Sequence, residues 1–195
     1  MLSAITTELE FESPTPASGI TVRKAAMRDI PALLSLINGY AAEGIMLPRT
    51  EFELSENMRD FAVALSGDQL VGCGALHFYS PVVGEIRSLA VSPSGKTRGI
   101  GRNIVRFLLT EAKAYFLGAV FAFTYVPGFF SRVGFMEVER GALPLKAWKD
   151  CLRCPKFQYC DEIAVLRVLD KNLWDPAALA SPEPDLLIQL PTPKK

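Results

Sequence analysis

Over residues 20–25 apolar and polar side chains alternate, the two-residue period of a half-buried strand. The period then lengthens. Ile30, Leu33, Leu34, Ile37 and Tyr40 fall on one face of a helix, and Asp29 and Pro31 suit its first turn. After a connection over 44–49, Thr50-Glu51-Phe52-Glu53 has capping-box spacing and predicts a second helix. Residues 61–65, a turn at 66–69 and residues 70–79 predict a hairpin, and 83–91 a further antiparallel strand. A second amphipathic stretch sets Ile100, Ile104, Phe107, Leu108, Ala112 and Tyr115 against Arg102, Asn103, Arg106, Thr110 and Lys113 on the opposite face. It leads into a buried strand at 119–124, a short helix at 127–133, a strand at 135–140 and a last strand at 162–169. The resulting order, β-α-α-β-β-β-α-β-α-β-β, is α+β rather than regularly alternating.

The ends break this pattern. Residues 1–18 are polar, carry Pro14 and Pro16, and predict a flexible N-terminal arm ahead of a domain over 19–170. Residues 171–195 form a Pro-rich tail whose short apolar run, Leu186 to Leu190, hints at self-association as a homodimer. The 195 residues suffice for one substantial core. A formal net charge of zero gives no electrostatic case for nucleic acid or a membrane surface. No apolar run approaches spanning length and no leader-like segment opens the chain, so a cytoplasmic protein with reduced cysteines is expected.

The candidate chemistry lies in residues 85–102. A strand, Glu85-Ile86-Arg87-Ser88-Leu89-Ala90-Val91, runs through Lys96-Thr97-Arg98-Gly99-Ile100-Gly101-Arg102 into the second amphipathic helix. Glycines there let backbone N–H groups approach a ligand. The unsatisfied first-turn donors and the helix dipole favour phosphate, and Arg98 and Arg102 add charge-assisted donors. A third spaced glycine with a later acidic residue, and a Gly-Lys-Ser/Thr ending, are both missing, which excludes the dinucleotide fingerprint and the nucleotide P-loop.

With Lys96, Gly99 and Gly101 in the pattern Arg/Gln-x-x-Gly-x-Gly/Ala, and Phe129-Phe130-Ser131-Arg132-Val133-Gly134-Phe135 downstream, the chain resembles the GNAT superfamily of acetyl-CoA-dependent N-acetyltransferases. Lysine replaces the usual arginine or glutamine at 96, keeping the charge and losing the planar fork. The resemblance implies the GNAT fold: a mixed, mostly antiparallel central sheet, helices on both faces, and a splayed strand pair holding the cofactor. It implies main-chain contacts to acetyl-CoA from Leu89, Ala90 and Val91, with Leu89 N–H polarising the thioester carbonyl. Lys96, Thr97, Arg98, Gly99, Ile100, Gly101, Arg102, Phe129, Phe130 and Arg132 complete the implied cofactor site.

Direct attack by an amine requires a proton acceptor. Glu85 is the nearest candidate; strand alternation sets it on one face with Arg87 and Leu89, and the plain alternative is an exposed strand-start carboxylate. A tyrosine often reprotonates the leaving thiolate in this family; here that position is Phe130. Tyr125 is the nearby substitute, or else a buried tyrosine satisfying a core hydrogen bond. The block 143–151 brings the resemblance closer to short bacterial amino-acid N-acetyltransferases of the N-acetylglutamate synthase type. That implies acetylation of the α-amine of a small-molecule amino acid, glutamate, within arginine biosynthesis. Arg49, Arg87 and Lys146, with Lys149 behind them, are the candidate carboxylate partners. The alternatives are a GNAT acting on another small amine or a protein N-terminus, and a catalytically silent acyl-CoA-binding module.

Cys151, Cys154 and Cys160 are three soft candidate ligands, with Cys73 or Asp161 as the fourth; three clustered cysteines fall short of a usual zinc shell, so a structural zinc is not favoured. His77, the only histidine, reads as a core or edge residue rather than a catalyst.

Overall fold

The alternating runs pair into one seven-stranded sheet. The computed structural model describes residues 19–96, 98–140, 143, 154, 156 and 159–175. In chain order the elements are β1 Ile20–Lys24, α1 Ile30–Ala42, α2 Glu51–Glu56, β2 Phe61–Ser66, β3 Gln69–Ser80, β4 Val83–Val91, α3 Ile100–Ala114, β5 Ala119–Thr124, α4 Pro127–Ser131, β6 Met136–Glu137 and β7 Ile163–Val168. The order agrees with the one read from periodicity. The sheet runs β1-β2-β3-β4-β5-β7-β6, and every pairing is antiparallel except β4 with β5.

Local signals account for most boundaries. The Thr50 hydroxyl accepts from Glu53 N–H while the Glu53 carboxylate accepts from Thr50 N–H, the reciprocal capping predicted for α2. Two expectations are corrected. The strand over 135–140 shrinks to Met136 and Glu137, with one further backbone bond to β7 from Val138 N–H to Ala164 O. Tyr115 caps the C-terminus of α3 instead of extending its buried face; it is 59% exposed and meets the Phe78 ring at 5.0 Å with the planes tilted by 60°. Val105 and Leu109 are buried in its place, so the stripe of α3 is wider than a single row.

Two layers cover the sheet. α3 buries Ile100, Ile104, Leu108 and Ala112 against Ala62, Val71, Leu76, Ile86 and Val120. On the opposite face α1 and α2 bring Leu33, Ile37 and Leu54 onto Phe61, Val63, Cys73, Ala75 and Ala90. Val83, Ala119, Phe121, Ala164 and Leu166 form a third cluster towards the β7 edge, with Trp174 packed on it.

The two central strands are irregular where it matters. β4 pairs with β5 only through Val83↔Ala119, Gly84↔Val120 and Glu85↔Phe121, so the remaining length of each strand parts from the other. Against β3, the register shifts between Cys73↔Ala90 and Ala75↔Arg87, setting Ser88 and Leu89 opposite Gly74 alone. This is a β-bulge, and Ser88 sits in it at φ +52, a left-handed conformation uncommon for a residue with a Cβ.

Candidate active site

The parted strands open a cleft of ≈ 430 Å³. Its floor is β4 from Glu85 to Leu89; one wall is β5 with Tyr125 beyond it, and another is the α1–α2 connection with Arg49. Arg140, Cys154, Lys156, Cys160 and Glu162 close the far side.

The bulge decides which side chains face this cleft. Glu85 lies opposite His77 and Arg87 opposite Ala75, on the α1/α2 face, whereas Leu89 packs with the α3 cluster. The expectation that Glu85, Arg87 and Leu89 share a face is therefore corrected: one extra residue in β4 reverses the alternation beyond Ser88. Glu85 is not an exposed strand-start carboxylate. It is 8% exposed, and the Tyr79 hydroxyl donates to its Oε2 at 2.7 Å.

Arg87 and Arg49 come from separate elements. Arg87 Nη2 lies 3.8 Å from Asp60 Oδ2 and donates to Asn57 Oδ1 at 3.4 Å. Arg49 is held through its backbone: Asn38 Oδ1 accepts from its N–H and Asn38 Nδ2 donates to its carbonyl, both at 2.9 Å. Lys146 and Lys149 lie outside the described residues. Tyr125 is half-buried in the cleft wall, not locked in a core hydrogen bond; Lys156 Nζ donates to its hydroxyl at 3.2 Å. Burial pushes the phenol pKa upward, and the Lys156 hydrogen bond partly opposes it.

A second cavity, ≈ 390 Å³, lies at the start of α3, lined by Val91, Lys96, Gly99 to Arg102, Phe129 and Arg132. Gly99 is the N-cap at φ +75, where a side chain would be strained. Asn103 N–H donates to Gly99 O at 3.0 Å and closes the first turn, which leaves the N–H groups of Ile100, Gly101 and Arg102 outside the helix ladder. A Cβ on Gly101 would stand 3.3 Å from the Phe129 ring, so the residue is kept small by an aromatic wall. Ile100 contributes only backbone there, its side chain being in the core. Arg98 is exposed and is not among the residues lining this cavity; Thr97 lies outside the described residues. Lys96 Nζ stands 5.4 Å from the centroid of the Tyr40 ring. Phe130, 3% exposed, packs edge-on against Phe129 and Phe135 and touches the first cleft.

The expectation of free main-chain groups at Leu89, Ala90 and Val91 is also narrowed. Ser92 N–H donates to Val71 O, so by ladder alternation the Ala90 peptide faces β3 while that of Val91 faces outward. The Val91 carbonyl accepts from the Tyr40 hydroxyl at 2.6 Å.

Cys73 cannot complete a metal shell. It is fully buried between α1 and the sheet, its thiol donates to Ser88 O at 3.5 Å, and burial pushes its pKa up to about 12. Cys154 and Cys160 line the cleft and Cys151 lies outside the described residues; among the described residues no group of three or more His, Cys, Asp or Glu side chains is arranged to hold a metal. His77, by contrast, is paired: its Nδ1 lies 2.6 Å from Asp60 Oδ2. Among the described residues no helix is long and apolar enough to cross a membrane.

Sequence reasoning did not single out Tyr79, Asn38, Arg140 or Glu162, and it read Tyr40 only as part of the apolar face of α1. Tyr79 alone had a local signal, standing two residues from His77 on the strand next to Glu85. Arg140 donates to the carbonyls of Cys160 (3.1 Å) and Glu162, tying the start of β7 to the end of β6, a contact between segments distant in sequence.

A sheet parted between two parallel strands, beside a helix start with open amides, is the architecture of an acyl-CoA-dependent transferase. The sequence matches the Acetyltransferase (GNAT) family over residues 31–136. It is 42% identical over 154 residues to an uncharacterized N-acetyltransferase of Chlorobaculum tepidum, covering 79% of this chain and 99% of that protein. It is 41% identical over 163 residues to an amino-acid acetyltransferase of Mycobacterium tuberculosis, covering 82% and 90% of the two chains. Among solved structures, N-acetylglutamate synthase from Neisseria gonorrhoeae, complexed with coenzyme A and N-acetyl-glutamate, superposes with a TM-score of 0.72 at 26% identity; the match covers 80% of this chain and 36% of that one. The chain belongs to the GNAT family. It is an acyltransferase, and acetyl-CoA is its acyl donor.

Proposed function

We propose that this acetyltransferase acts on the α-amine of a free amino acid, glutamate. The observation that carries the reading is the charge of the cleft. Arg49, Arg87, Arg140 and Lys156 line it against Glu85 and Glu162, so its described lining is cationic around one buried carboxylate. A dicarboxylic amino acid brings two anionic groups and one amine, and arginine matches a carboxylate bidentately. Arg87 and Arg49 hold the carboxylates; Glu85 takes the ammonium proton, directly or through a water. The amine nitrogen then bonds to the acetyl carbon and the carbon–sulfur bond breaks. Leu89 N–H, on the bulge where the β4–β5 ladder has ended, steadies the carbonyl oxygen, and Tyr125, whose raised pKa keeps it protonated, gives its proton to the departing thiolate and takes back the second proton lost by the acylated nitrogen. The diphosphate of the donor lies on the α3 amides with Lys96, Arg102 and Arg132 around it.

The test is thiol release from acetyl-CoA with a panel of free amino acids and short peptides. Glutamate is expected to have the highest kcat/KM, and Arg87→Ala to raise the glutamate KM about 10- to 100-fold with little effect on the acetyl-CoA KM, the loss of a charge-assisted pair. Preference for a neutral amino acid or a peptide, or equal effects on both KM values, overturns it.

A further inference from the structure

We propose that Tyr79, braced by the Asp60–His77 pair, is the positioning residue that orients the Glu85 carboxylate; the inference rests on the reading of Glu85 as proton acceptor and deepens it. On the β3–β4 ladder His77 stands directly opposite Glu85, and Tyr79, two residues further along the same face, reaches back diagonally to donate its hydroxyl hydrogen to Glu85 Oε2 at 2.7 Å. The Tyr79 ring has little freedom. It meets the His77 ring edge-on at 5.1 Å and 87°, and the buried Phe121 ring at 5.5 Å. His77 is itself fixed by Asp60 Oδ2 at 2.6 Å, and the same oxygen lies 3.8 Å from Arg87 Nη2. One small group of residues therefore sets both the carboxylate and the guanidinium on the cleft floor.

Position separates this role from catalysis. Glu85 and Arg87 line the cleft, whereas Tyr79, His77 and Asp60 are not among its lining residues and act from beside it on the same face of the sheet. A donated hydrogen bond favours the ionised carboxylate and fixes the position of Oε2. The other charged groups around Glu85 are Arg87, Arg49, Arg140, Lys156 and Glu162 in the cleft and Asp60 beside it. The Tyr125 phenol and the Cys154 and Cys160 thiols line the same space. Tyr79→Phe leaves all of these in place and keeps both ring contacts.

The experiment compares wild type, Tyr79→Phe and Glu85→Gln in full pH profiles of kcat/KM for the amino-acid acceptor, alongside the acetyl-CoA KM. Tyr79→Phe is expected to move the acidic limb upward by about one to two pH units, the equivalent of one hydrogen bond to a charged group, with the acetyl-CoA KM within about twofold. An unmoved limb in Tyr79→Phe, with Glu85→Gln inactive, overturns the positioning role alone. Wild-type activity in Glu85→Gln overturns the proton-acceptor reading and this inference with it.

Discussion

Gly74 is where fold and site meet, and replacing it has a calculable cost. It faces the bulge from β3, and a Cβ there would stand 2.9 Å from Ile104 Cγ2, 3.2 Å from Leu89 Cδ1 and 3.3 Å from Leu108 Cδ1. Ile104 and Leu108 are fully buried on α3. A β-branched side chain has one favoured rotamer in a helix, so the nearest atom cannot swing aside. Either α3 lifts from the sheet or Leu89 shifts. Overpacking a close-packed site costs about 1–3 kcal/mol, and three simultaneous contacts place Gly74→Ala in the upper half of that range. Losing glycine's chain entropy returns about 0.5–1 kcal/mol, for a net destabilisation of about 1–2.5 kcal/mol. In a chain of this size that is a fall in Tm of about 2–10 °C. Because Leu89 belongs to the cleft, the acetyl-CoA KM is expected to rise as well. Gly39→Ala is the control: Gly39 is exposed within α1, a Cβ there meets nothing within 4 Å, and the change is expected to stabilise by up to about 1 kcal/mol. Thermal unfolding of both variants decides the matter. A Gly74→Ala Tm within about 1 °C of wild type, or shifts of the same sign in both, would refute close packing as the reason for glycine at 74.

Arg87→Lys keeps the charge and loses the fork, so the acceptor KM should fall between wild type and Arg87→Ala; equality with wild type in steady-state kinetics would mean that bidentate geometry is not used. Cys73, buried with its pKa pushed up to about 12, should stay unlabelled when native protein meets a maleimide near pH 8, as read by peptide mapping; rapid labelling would contradict its burial. Lys24 Nζ bonds both oxygens of Glu111, at 2.7 and 3.0 Å, tying β1 to α3. Burial raises the Glu111 pKa and Lys24 partly offsets it. An acid with a raised folded pKa loses stability as pH climbs from its unfolded value of 4.5 through the folded one. Lys24→Met removes the offset, so the loss should deepen and extend to higher pH; denaturant unfolding at pH 5 and pH 8 should differ more in the variant than in wild type, and an unchanged difference would dismiss the pair.

Much of the fold was legible because its signals are local. The capping box at Thr50 and Glu53, the hairpin turn around Gly67 and the Gly99-Ile100-Gly101 helix start each involve residues within a few positions, where spacing and backbone preference suffice. Tyr115 was misread because periodicity continues past the point where the helix stops, and α3 ends at Ala114. The strand over 135–140 was overestimated because a strand exists only as far as a partner pairs with it, and the last backbone bond to β7 comes from Val138.

The site divides the same way. Its phosphate-facing half is a contiguous strand–turn–helix segment, so the chain alone named most of the residues around the second cavity. The cleft needed three dimensions. The family resemblance implied a splayed pair, but only the pairing registers place the parting of β4 from β5 after Glu85 and the bulge at Ser88, which turns Leu89 to the opposite face. Only packing brings Asn38 to Arg49, Tyr40 to the Val91 carbonyl and Arg140 to the start of β7. Sequence alone determined which elements form and in what order, because periodicity and capping act over one or two turns. Tertiary structure decided register, the point at which the strands part and the burial of Glu85, because those depend on which distant segments lie opposite one another.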